Sequence, residues 1–186
     1  MSKNIVLIRF SSREKGNCAA ISAYLETIHS QDSITHYTID NQVVTPCSNC
    51  NYECLKPGEK CPQITAAQTN VMDAICNADL AYFIIPNYCG FPPASYYAFN
   101  ERSVGYFNLD RVLMGKYRAV TKKFIIVSNT EGQNFENAVR SQVMGNPEMI
   151  YLKTSKYGKQ STAGDLMDSV EAKADLQAFL ADQSAV

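Results

Sequence analysis

Leu80-Ala81-Tyr82-Phe83-Ile84-Ile85-Pro86 is a nearly unbroken apolar run that ends abruptly in Asn87-Tyr88-Cys89-Gly90. It does not alternate, as a half-buried strand would, and it is too short for an ordinary helix. A strand covered on both faces inside a parallel sheet has this character. Outward from it, Lys3 to Phe10 and Phe124-Ile125-Ile126-Val127 repeat the signal, with weaker candidates at Ser33 to Ile39 and Met149 to Leu152. Helical patterns fall between them. Asn17 can cap a helix through Ala19, Ile21, Leu25 and Ile28, and Gln63 to Asn77 places Ile64, Ala67, Val71 and Ile75 on one side. Ala94 to Phe107, Phe135 to Met144 and part of Ala163 to Leu180 read as further helices, whereas Leu109 to Val120 has no clear assignment. Strands alternating with helices predict a three-layer α/β domain with right-handed crossovers. Without an internal repeat or a long linker, residues 1–186 read as one domain.

Composition narrows the functional classes. The chain has 186 residues, of which 46% are hydrophobic and 19% charged, with a formal charge of -1. That apolar content excludes a disordered chain, and the charge balance argues against nucleic acid as a partner. No apolar run approaches the length of a membrane span. The first apolar run passes directly into Arg9, Ser11, Ser12 and Arg13, which suits a buried strand better than a secretory leader. A cytoplasmic location is therefore expected. There, the seven cysteines are better explained as buried thiols, metal ligands or redox groups than as a disulfide scaffold.

Three loops follow the carboxyl ends of strand candidates. Phe10-Ser11-Ser12-Arg13-Glu14-Lys15-Gly16-Asn17-Cys18 joins the first strand to the first helix. Peptide N–H groups and a helix N-terminus at such a place favour a phosphate, and Arg13 could neutralise it. The competing reading is a solvated turn, since neither a Walker loop nor a dinucleotide fingerprint is present. Pro86-Asn87-Tyr88-Cys89-Gly90 offers a bend, an aromatic ring and peptide groups for a planar cofactor; the alternative is a strand end whose aromatics pack in the core. These two loops are expected to flank the topological switch point of the sheet. In Ser128-Asn129-Thr130-Glu131-Gly132, Asn129 or Thr130 could meet the rim of a bound ring or cap the next helix, and capping is the favoured reading for Thr130.

The first two loops resemble those of flavodoxin-like NAD(P)H-dependent FMN reductases, a similarity that covers about the first 135 residues. The resemblance implies an α/β, flavodoxin-like three-layer sandwich with a five-stranded parallel sheet of order 2-1-3-4-5. It also implies bound FMN, NAD(P)H as co-substrate and a homodimer or higher homo-oligomer. Ser11, Arg13, Asn17 and Cys18 match the phosphate-contacting loop, and Pro86, Asn87, Tyr88, Cys89 and Gly90 the ring-contacting loop. Phe10 and Ser12 depart from the family's usual glycine and proline. The implied activity is an oxidoreductase that transfers hydride from NAD(P)H to FMN, then electrons to a small acceptor such as a flavin or quinone. The cofactor carries that chemistry, so no side-chain acid or base is required. Two alternatives are an electron-transfer flavoprotein serving a protein partner and a flavodoxin-like interaction domain that has lost FMN.

A loop at about residues 45–62 carries Cys47, Cys50, Cys54 and Cys61. These cysteines resemble those of the iron-sulfur flavoprotein branch, except that three residues rather than two separate the second and third. Four thiolates suit a [4Fe-4S] cluster or zinc, and the same loop could remain unmetallated. Cys76 reads as core. His29 and His36 lack a neighbouring catalytic pattern, although a charged ring at His29 would favour a helix end. Asp110 and Arg111 suggest an ion pair or interface contact. Lys116, Arg118, Lys122 and Lys123 suggest a solvated basic face, while Tyr96 and Tyr97 could cover a flavin or pack inward.

Overall fold

A computed structural model describes residues 2–40, 43–130, 132–144 and 147–181. Its strands are β1 (Asn4–Arg9), β2 (Ser33–Thr38), β3 (Leu80–Pro86), β4 (Thr121–Ser128) and β5 (Glu148–Lys153). They are all parallel and lie in the order β2-β1-β3-β4-β5. In register, Ile8 lies opposite Phe83 and Phe83 opposite Phe124, which aligns the apolar runs across the sheet centre.

The strand period of two sends neighbouring side chains to opposite faces. Val6, Ile8, Phe83, Phe124 and Ile126 belong to one core, shared with helices α2 (Ala66–Cys76), α3 (Ala94–Phe107), α4 (Arg111–Ala119) and α5 (Gln133–Gln142). Ile5, Leu7, Tyr82, Ile84, Ile125 and Leu152 face the other core, with helices α1 (Asn17–Ile28) and α6 (Val170–Ala181). The Phe83 and Phe124 rings stack at 4.6 Å. Burying such a ring contributes about 1.5–3 kcal/mol relative to leaving it exposed. This double coverage explains why the central strands need apolar residues at successive positions.

Several local expectations change. The unassigned segment forms α4, whose N-cap is Asp110: its carboxylate accepts from the amides of Val112 and Leu113. Asp110 therefore serves a helix end rather than pairing with Arg111. Lys122 and Lys123 are buried rather than solvated. Lys122 Nζ donates to the carbonyls of Tyr117 and Val120, and Lys123 Nζ lies 2.8 Å from Glu148 Oε2. Their long stems cover apolar surface while their heads find acceptors. The last helix begins only at Val170, after a short 3-10 turn at Leu166–Asp168. No helix among the described residues is long and apolar enough to cross a membrane.

Candidate functional site

The sheet order reverses between β1 and β3, so the loops leaving these strands diverge and open a crevice at their carboxyl ends. A cavity of about 280 Å³ occupies this place. Ser11, Arg13, Asn17 and Cys18 line it from the first loop, and Pro86, Asn87, Tyr88 and Cys89 from the second. Asn129 contributes from the third. A neighbouring cavity of about 390 Å³ shares Ser11, Arg13 and Tyr88, so the two form parts of one cleft.

Gly90 stands outside this lining. Its contribution is to the backbone, because Cys89 and Gly90 both adopt positive φ, 53° and 91°. They form a two-residue turn held by mutual amide-to-carbonyl hydrogen bonds between Tyr88 and Phe91. The turn leaves Tyr88, which lines the cleft, and Phe91 about half exposed. Glu131, from the third loop, lies outside the described residues.

The first loop supplies donors. No hydrogen bond within the described residues engages the amides of Ser11, Ser12, Arg13, Asn17 or Cys18. The last two begin α1, where a helix necessarily has unpaired N–H groups. Arg13 is exposed and adds a positive charge nearby. The helix cap differs from expectation: Gly16 is the N-cap, and the Asn17 side chain points elsewhere. Asn17 Nδ2 donates to the carbonyls of Gln160 at 2.9 Å and Ser161 at 3.1 Å, while Oδ1 accepts from the Leu166 amide. Asn17 thus draws a distant segment across the first loop.

That segment adds Ser161 and Thr162 to the cavity wall. Sequence reading did not find them because their placement depends on a contact made 144 residues away. A weak local signal exists in Ser161-Thr162-Ala163-Gly164, a hydroxyl pair beside a glycine. Gly164 has φ 78°, and a Cβ there would stand 2.2 Å from the Lys15 carbonyl oxygen. Glycine therefore permits both the left-handed backbone and the close approach.

Two thiols reach the cleft with different chemistry. Cys89 is exposed, whereas Cys18 is buried and its pKa is pushed up to about 12 by desolvation, with Arg9 and Arg13 opposing. Cys18 is accordingly a neutral packing group. The second loop is stiffened from β4. Asn87 Nδ2 donates to Ser128 Oγ at 2.8 Å and Thr130 Oγ1 at 3.3 Å. Thr130 therefore braces Asn87; the α5 N-cap is Gly132, without a side-chain cap.

The cysteine-rich loop lies against α3 and is held by a buried arginine that sequence reading missed. Arg102 donates to the carbonyls of Thr45 and Pro46 and to Gln63 Oε1, and its Nη1 is 3.9 Å from Cys61 Sγ. Cys61 is buried beneath this guanidinium while Cys47 is exposed. Burial raises the pKa of Cys54, with smaller contributions from Cys61, Cys50 and Cys47, so the thiols are neighbours. Yet no group of three or more Cys, His, Asp or Glu among the described residues is arranged to hold a metal ion. In this arrangement the four side chains do not form a tetrahedral ligand set. Cys76 is buried, as expected, and Tyr96 packs inward against Phe10 rather than covering the cleft. His29 sits at the end of α1, between Asp32 and the Tyr82 hydroxyl.

No protein-family model matches the chain, and no curated protein matches it. Solved structures do match. The Trp repressor binding protein from Bacillus subtilis superposes with TM-score 0.63 at 12% identity, covering 97% of this chain and 99% of that one. FerB, a flavoenzyme NAD(P)H:(acceptor) oxidoreductase from Paracoccus denitrificans, gives TM-score 0.57 at 10% identity, covering 96% and 95%. An azoreductase from Bacillus anthracis gives TM-score 0.56 at 15% identity, covering 97% and 95%. At these identities the shared property is the architecture, and the chain has the flavodoxin-like fold over nearly its whole length.

Proposed function

We propose that this protein is an FMN-dependent oxidoreductase that uses NAD(P)H and passes electrons to a small acceptor such as a flavin or quinone. One observation carries the reading: a single cleft at the switch point joins a donor-rich loop at a helix N-terminus to an aromatic turn. The first part suits a phosphate and the second a planar ring, at the spacing the fold imposes. The similar architectures of FerB and the azoreductase agree with it.

The residues fit FMN on three counts. The amides of Ser11, Ser12, Arg13, Asn17 and Cys18 would hold its phosphate, with Arg13 supplying charge. Ser161 and Thr162 extend a hydroxyl-bearing wall beside that end of the cleft. Tyr88 provides a stacking surface on the other side, where Asn87 lines the same wall. When bound, FMN would supply hydride acceptance from reduced nicotinamide and electron delivery to the acceptor. The protein orients the ring and limits water at one face; none of its side chains need exchange a proton for hydride transfer. Half-exposed Tyr88 leaves a face of the cleft open to an aromatic co-substrate.

Among the described residues the cysteine loop presents no group of three or more side chains placed to hold a metal ion, and no step is assigned to it. Anaerobic purification, an absorption spectrum, flavin identification and metal analysis on one sample test the proposal. Flavin at about one per chain, bleached rapidly by NADH or NADPH alone, is the expected result. Bleaching only by a reduced protein partner would replace the enzyme reading with an electron carrier. About four iron and four sulfide per chain would add a cluster. Failure to bind FMN on reconstitution would leave an interaction domain.

A further inference from the structure

Four cysteines share the loop after β2, and the fold brings two of them to one point on α3. Gly105, in the last turn of that helix, faces the loop. A Cβ there would stand 2.7 Å from Cys61 Cβ, 3.0 Å from Cys61 Sγ and 3.9 Å from Cys54 Cβ. Glycine therefore leaves room for both cysteines against the helix. The chain between them reverses at Lys56-Pro57-Gly58-Glu59. Pro57 presets one central position, Gly58 has φ 78°, and the Glu59 amide donates to the Lys56 carbonyl at 3.2 Å, as in a type II turn. Asn108, at the C-cap of α3, donates its side-chain amide to the Glu59 carbonyl and ties the reversed chain to the helix.

The two thiols differ in freedom. Cys61 is buried, and Arg102, one turn before Gly105, places Nη1 3.9 Å from its sulfur. The other donors of this buried guanidinium reach the Thr45 and Pro46 carbonyls and Gln63 Oε1. Of its acceptors among the described residues, only the Cys61 sulfur can become an anion. Negative charge on that sulfur, as it attacks or leaves a disulfide, is met by the guanidinium. Cys54 is half-buried in the 3-10 turn Glu53–Leu55, and residues 55–60 are exposed. Its thiol is held above the ordinary value first by burial and next by Cys61, so it rests protonated. Cys50 engages the Glu53 carboxylate instead, and Cys47 is exposed.

We propose that Cys54 and Cys61 are a redox-active pair, a modification site that closes reversibly to a disulfide by exchange with a small-molecule disulfide such as glutathione disulfide. Neither residue lines the cleft, and the chemistry does not depend on the FMN reading. The Cys54 sulfur attacks glutathione disulfide, forming a mixed disulfide and releasing one glutathione. The Cys61 sulfur then attacks Cys54 Sγ, forming the internal bond and releasing the second glutathione. The two protein thiols give up two electrons and two protons, and the two released glutathiones carry them away as thiols. A disulfide brings its Cβ atoms to about 3.5–4.5 Å. The exposed turn lets Cys54 close that span while Cys61 stays beneath Arg102.

The test incubates the full chain anaerobically in glutathione buffers of rising oxidised fraction until its state stops changing. Iodoacetamide then blocks the free thiols. Cleavage after Glu53, Glu59 and Lys60 leaves Cys54 on a peptide with no other cysteine, so tandem mass spectrometry reads its partner directly. Wild type should give a Cys54–Cys61 cross-link that reduced glutathione reverses. Its yield should exceed any other pairing of Cys54 by about tenfold or more, because exchange favours the sulfur already placed for attack. Cys54→Ser should remove the cross-link, and Cys61→Ser should leave Cys54 as its glutathione mixed disulfide. Cys47→Ser and Cys50→Ser should both retain the cross-link. A thermal melt establishes folding, and Cys54→Ser, at the half-buried position, carries the test if Cys61→Ser does not fold. Unmodified Cys54, stable glutathione on Cys54 in wild type, or its pairing with Cys47 or Cys50 would overturn the proposal. So would zinc or an iron-sulfur cluster held by these thiols in the anaerobically purified protein, as metal analysis would show.

Discussion

Arg13 and Cys18 belong to the same loop, and their environments separate their roles. Arg13 is exposed at the cleft, where its guanidinium can pair with a phosphate in charge-assisted hydrogen bonds. Arg13→Ala should weaken FMN binding about 10- to 100-fold, read by fluorescence quenching. Unchanged affinity would place the phosphate elsewhere. Cys18, by contrast, is held neutral by burial, with a pKa near 12 against an ordinary value of 9.0. Its folded form keeps a proton that the unfolded chain releases, so its contribution is fully present below about pH 9 and is lost as pH rises toward 12. Cys18→Ala should therefore flatten the decline in thermal stability across that window. At pH 8, iodoacetamide should modify exposed Cys89 and spare Cys18 in the native protein, as peptide mass spectrometry would show. Residue types and loop positions made both residues legible in sequence. The opposite states of the two cleft thiols, and the bracing role of Thr130, were not, because burial and partners set them.

The three inner strands β1, β3 and β4 are each marked by an apolar run, and α3 was bounded correctly from its pattern at Ala94 to Phe107. Elements whose stability comes from caps and long-range contacts were harder to read. Helix α4 buries only Tyr117 among its own residues, so its apolar pattern is faint, and Asp110 starts it through two capping bonds. The segment after β5 gives still less local signal. It is positioned by Asn17 and by the backbone approach of Gly164 to Lys15. Gly164→Ala combines a disfavoured backbone angle with a clash against a carbonyl oxygen. It should cost about 1–3 kcal/mol in a denaturant or thermal melt. The same variant should weaken FMN binding by displacing Ser161 and Thr162. Wild-type stability and affinity together would show that this segment can be moved without consequence. In the cysteine loop, Arg102 acts in an analogous way by collecting carbonyls from Thr45 and Pro46.

A ligand that holds three loops and the segment after β5 should stabilise the molecule as a whole. At a free FMN concentration about 100 times the dissociation constant, the gain is about 2.7 kcal/mol. For a chain of this size that corresponds to a rise in melting temperature of about 5–10 °C, measurable by calorimetry with and without FMN. No shift under saturating FMN would contradict binding to the folded state. The sequence by itself determined the layer architecture, because only strands covered on both sides need consecutive apolar residues such as Phe83-Ile84-Ile85. It also placed the first and second loops on the edge of the sheet where they meet, since parallel strands present their carboxyl ends together. Tertiary structure alone decided what completes the cleft and what the polar groups there can do. Ser161 and Thr162 arrive through a contact distant in sequence, Asn87 is braced by Ser128 and Thr130, and Cys61 is drawn beneath Arg102. The physical reason is that hydrophobic periodicity is a local signal, whereas hydrogen-bond satisfaction depends on which distant groups the fold brings within 3 Å or so.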